Sequence, residues 1–115
     1  MKKTNKKIEK NLITALTKVC DQALDQVEGF QWLTHMVSFN QFPESLSIIC
    51  VFDTLDALEQ AQSTAEVEAL YDLIRRELKS VNISVRDITR HVRFDTEQEC
   101  LAEHDGKWNI RLRRH

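Results

Sequence analysis

Asp53 closes the apolar run Ile48–Phe52, and Asp56 follows three residues later. A carboxylate at the end of a buried strand can act as a nucleophile or a general base. With Trp32, His35 and Cys50 it defines a possible pocket between the first helix and the sheet. The plainer reading is that Asp53 and Thr54 cap the helix that follows, with Trp32 in the core. Cys100 and His104 stand four residues apart, which on a helix would make half of a metal site. No Cys-x-x-Cys or His-x-x-x-His supplies the other half, so no metal is expected. Asp87, Asp95, Glu97, Glu99 and Glu103 are abundant carboxylates, yet no Glu-x-Lys accompanies them as nuclease chemistry would require. Two glycines cannot build a phosphate-cradling loop, and no Gly-x-Ser-x-Gly elbow is present. The sequence therefore assigns no catalytic residue and implies no cofactor.

Charge is distributed unevenly behind a net value of −2. Residues 1–10 hold five lysines against Glu9, and residues 107–115 hold Lys107 and three arginines with no acid. The intervening stretch carries seven basic and seventeen acidic residues. Basic ends on an acidic body can neutralise phosphates, dock on the body itself, or remain solvated and frayed. Lys2, Lys3, Lys6, Lys7, Arg111, Arg113 and Arg114 are accordingly the candidate nucleic-acid contacts. Arg86, Arg90 and Arg93, with Arg75 and Arg76 before them, form a second basic group within the body.

At 115 residues the chain suits one domain, with residues 1–7 and 113–115 as ends that could fray. Three evenly spaced cysteines are an odd number, unlike a disulfide framework, and no apolar run suits a signal peptide or a membrane span. A reduced, cytoplasmic protein with no membrane partner is expected.

Ile8, Leu12, Leu16, Val19, Ala23 and Val27 recur at helical steps, and Gly29 follows where a left-handed cap belongs. Phe30–Phe39 and Leu46–Phe52 read as an antiparallel hairpin around a turn at Asn40–Ser45. A short helix through Leu55 and Leu58 comes next, then a longer one over Val67–Leu78 opened by a Ser63/Glu66 capping box. Val81, Ile83 and Val85 alternate with polar residues, as do Val92 and Phe94, which predicts two further strands. Thr96 and Glu99 open a short helix that Gly106 stops. Trp108, Ile110 and Leu112 alternate with Asn109, Arg111 and Arg113, which predicts an edge strand with a basic outer face. The order α-β-β-α-α-β-β-α-β implies an α+β single domain, mainly antiparallel, with helices mostly on one face.

Ile48–Asp56 also resembles the nucleophile motif of haloacid-dehalogenase-type phosphotransferases. That family places its two aspartates two apart, whereas Asp53 and Asp56 are three apart and the chain is short for such a core. Glu28–His35, Ser45–Phe52 and His91–Cys100 resemble a family of short proteobacterial proteins of unknown function. Its members sometimes carry the loose label of Fis-family transcriptional regulators. The label implies a C-terminal helix-turn-helix, from which the alternating pattern at 108–113 departs. The expectation is thus a non-enzymatic interaction or regulatory module with a protein partner or a second copy, acting through the hairpin region. Nucleic-acid binding through the basic ends is the alternative, and a small enzyme with a site near Asp53 is the third.

Overall fold

The computed structural model describes residues 3–115 and shows an α+β chain built on a three-stranded sheet. Helix α1 (Lys3–Gln26) leads to β1 (Phe30–Met36) and β2 (Ser47–Phe52). Helices α2 (Leu55–Ser63) and α3 (Glu66–Ser80) follow, then β3 (Val92–Thr96), α4 (Glu97–His104) and α5 (Trp108–Arg111). The hairpin of β1 and β2 is antiparallel, as the sequence predicts, with a bulge between Phe30 and Trp32.

The helical stripe of α1 is the one the spacing predicts, since Leu12, Leu16, Val19, Ala23 and Val27 are all buried. Gly29 takes φ 83°, and a Cβ there would lie 2.5 Å from the Cβ of Ala57. Only glycine fits, and its carbonyl accepts from the Asp53 backbone N–H at 2.9 Å.

Three expected features are corrected. The stretch Val81–Val85 is not a strand. Asn82 adopts φ 63°, Asn82 N–H bonds to the Lys79 carbonyl, and Ile83 N–H reaches back to the Leu78 carbonyl. That pattern is a Schellman cap closing α3, and it draws Ile83 into the core beside Leu78. The sheet is also mixed, because β2 and β3 run parallel (Ile48 opposite Val92, Phe52 opposite Thr96). Two intervening helices give the chain length to return in the same direction, which a hairpin cannot do. Finally, 108–113 is helical. Trp108, Arg111, Leu112 and His115 share one face of α5 and its 3-10 extension, while Ile110 is exposed. The inward face holds a charged residue, so apolar alternation misread it.

The predicted Thr96 cap is present. Thr96 Oγ1 accepts from Glu99 N–H at 3.0 Å and donates to Glu99 Oε1 at 3.2 Å. The Ser63/Glu66 box is not formed. Ser63 Oγ donates to the Gln60 carbonyl at 3.0 Å, and Thr64 Oγ1 receives the Glu66 N–H instead.

Strand alternation divides the core in two. Leu33, Ile48, Cys50, Phe52, Val92 and Phe94 join α1 and α3 on one face in a continuous apolar cluster. Trp32, Thr34, Ile49, Val51 and Asp95 lie on the opposite face, beneath the C-terminal segment.

Candidate functional site

The four pocket candidates are separated by the fold. Cys50 is fully buried opposite Leu33, where burial pushes its thiol up to about 12 and makes it a core residue. Asp53 lies at the far end of β2 on an exposed turn, its Oδ1 accepting the Thr54 N–H at 2.7 Å. Thr54 is the residue that caps α2, accepting from Ala57 N–H at 3.1 Å. Trp32 and His35 point to opposite faces, with Trp32 edge-on to Trp108 and His35 3.2 Å from Glu9 of α1. A nucleophile, a base and an orienting acid are therefore not assembled from these residues.

The densest polar cluster lies at the end of β3, joining residues that no local sequence pattern brings together. Asp95 is 4% exposed and Arg111 3% exposed, yet they face each other on the second face of the sheet. Arg111 Nε donates to Asp95 Oδ2 at 2.7 Å and Nη2 to Oδ1 at 2.8 Å, a bidentate fork. Thr96 N–H and His115 Nε2 complete the carboxylate at 2.8 and 2.7 Å. Burial alone would raise the Asp95 carboxyl, but the bonds from Arg111, His115 and the Thr96 backbone hold it below the usual range. Arg111 also donates to the Glu99 carbonyl and meets His104 Nδ1, both at 3.2 Å. Beside this cluster both indole N–H groups, Trp32 and Trp108, donate to the carboxylate of Glu97. Every strong donor and acceptor is thereby satisfied within the protein. The cluster ties the C-terminal segment to the second face of the sheet.

The structure also separates the candidate nucleic-acid contacts. Arg111 is buried and held by Asp95, which withdraws it from any phosphate. Arg114 is 2.7 Å from Glu103, and Arg113 is exposed. His115 contacts Asp95 and Arg114 donates to Glu103 at the C-terminal end. Lys2 and the side chain of Lys3 lie outside the described residues, while Lys6 and Lys7 are exposed on α1. Among the described residues, Lys6 and Lys7 belong to α1, which packs on one face of the sheet, and Arg113 and Arg114 to the segment that packs on the other. The Cys100–His104 half-site is likewise divided, with Cys100 buried and His104 against the Arg111 guanidinium. Among the described residues no group of three metal-ligating side chains comes together.

A further feature is a cleft of about 260 Å³ between α1 and the outer edge of β1. Ile13, Leu16, Cys20, Leu33 and His35 line it, and β1 has no strand on its far side among the described residues. Ile13 is 51% exposed and Leu24 52% exposed. Eleven residues is close to three full helical turns, so the two share one side of α1, about 16 Å apart. Lys6 and Lys10 extend that side toward the N-terminus, whereas Asp21 lies toward the other end and Glu28 follows in the turn after α1.

Comparison with protein-family models, with curated proteins and with solved structures finds no match to this chain. No helix among the described residues is long and apolar enough to cross a membrane.

Proposed function

We infer that the protein is a non-enzymatic interaction module that works as a symmetric dimer, joined through the exposed side of α1 beside the β1 edge. The observation that carries this reading is the self-complementarity of that side. In an antiparallel pair of α1 helices with a two-fold axis near residues 18 and 19, Ile13 of one copy meets Leu24 of the other. Lys10 of each helix then comes level with the partner's residue 27, between the acidic Asp25 and Glu28. Leu24 of a second copy would sit over the cleft that Ile13 flanks, removing two large apolar side chains from water on each subunit. A regulatory role as a DNA-reading factor is less well supported. The α4–α5 pair does form two helices about a tight turn, but α4 carries Glu97, Glu99 and Glu103, and Arg111 is buried.

Sedimentation equilibrium tests the reading. Wild-type protein at tens of micromolar should show a dimer that weakens as salt rises, because part of the attraction is between exposed charges. Leu24→Glu should be monomeric with unchanged circular dichroism, since Leu24 is exposed in the single chain. A wild-type chain that stays monomeric to hundreds of micromolar would overturn it.

A further inference from the structure

The segment Ser84–Arg86 alternates like a strand in sequence, yet Ser84, Val85 and Arg86 make no main-chain hydrogen bond among the described residues. It borders a continuous groove formed by three adjoining clefts of about 200, 410 and 320 Å³. The first is bounded by Arg75 and Lys79 and shares Ser84 and Val85 with the second. The second and third share Glu44, Arg86 and His91, and Arg90 closes the far end. Leu78, Ile83, Val85 and Pro43 supply apolar lining.

The charge of this groove runs against that of the acidic body around it. Between 75 and 93 six basic residues stand against Glu77 and Asp87. Arg86 and Arg90 have no carboxylate within ion-pair distance among the described residues. Asp87 is engaged locally, accepting from Thr89 N–H at 3.1 Å and Thr89 Oγ1 at 2.7 Å. His91 Nδ1 donates to the Leu46 carbonyl at 2.7 Å, and its ring lines the second and third clefts. Glu44 is the one other acid lining the groove.

We propose that this groove binds an extended acidic peptide of another protein, which pairs its backbone with Ser84–Arg86 and sets its carboxylates against Arg86, Arg90 and Lys79. Unpaired main-chain groups supply affinity by strand addition, and the pockets along the groove accept alternate side chains. The basic lining selects an acidic partner over a neutral one. Single-stranded nucleic acid is disfavoured because no Phe, Tyr or Trp lines the groove, so bases would find no stacking platform. This surface shares no residue with the proposed α1 dimer face and stands or falls separately.

The test is fluorescence anisotropy of a labelled heptapeptide of alternating Glu and Val. Controls are the same peptide with proline replacing two valines, a Lys/Val version and an oligouridylate of equal charge. The Glu/Val peptide should bind, weaken with salt and slow amide exchange at 84–86. The R86Q/R90Q variant, which alters only exposed side chains, should bind it about tenfold or more weakly. Glu44→Gln should tighten binding, by removing the opposing charge. Four results would each overturn the proposal: no binding, equal binding of the proline peptide, an unaffected double variant, or tighter binding of oligouridylate.

Discussion

The two faces of the sheet are closed in different ways. On one, α1 and α3 cover Ile48, Cys50 and Phe52 with leucines and valines at helical spacing, and the attraction is non-directional burial. On the other, the short segment from α4 onward is held over Ile49 and Val51 by an arginine, two tryptophans and their carboxylate partners. The first face tolerates small changes of shape, because many weak contacts share the load. The second depends on a few directional bonds, and each partner removed leaves another buried and unsatisfied.

That asymmetry sets the order of expected effects. Arg111→Ala should be the most damaging substitution, about 3–5 kcal/mol by denaturant unfolding, since it strands the buried Asp95 carboxylate. The paired change Asp95→Leu with Arg111→Met should recover much of that loss. Failure to recover would mean that the fork does more than compensate burial. Gly29→Ala should cost about 2–3 kcal/mol, from strain at positive φ and the close approach to Ala57. Adding Ala57→Gly should return the part due to contact alone. Thr96→Ala should cost about 1 kcal/mol, as the loss of a helix cap usually does.

Acid separates the faces again. The Asp95 carboxyl titrates below its ordinary value, so its contribution is complete above the unfolded value of about 3.9 and is lost as pH falls through the lower folded value. Amide exchange should therefore show α5 loosening below about pH 4 before the apolar cluster of α1 and α3 opens. Simultaneous opening of both faces would show that the C-terminal segment and the main core form one cooperative unit.

The same asymmetry explains what could be read from sequence. Helix α1, the β1–β2 hairpin and the Thr96 cap follow from periodicity, turn residues and capping chemistry, all local properties. The C-terminal helix does not, because its buried face is marked by Arg111 and His115, which look like surface residues until Asp95 is placed opposite them. Val81–Val85 misleads for a different reason, as Asn82 diverts the chain into a helix cap that alternation cannot foresee. The proposed dimer side was hidden too, since Ile13 and Leu24 sit outside the apolar stripe and their significance lies in being exposed together.

The central claim, a symmetric dimer through α1, is tested most directly at Cys20. Cys50 and Cys100 are fully buried, so Cys20 is the half-exposed thiol of the three, and it lies close to the proposed two-fold axis. A short bismaleimide, applied at micromolar protein concentration and mildly alkaline pH, should link two chains through Cys20 in high yield. Leu24→Glu should abolish the product. Absence of the covalent dimer in a wild-type sample that sediments as a dimer would place the interface elsewhere and contradict the account.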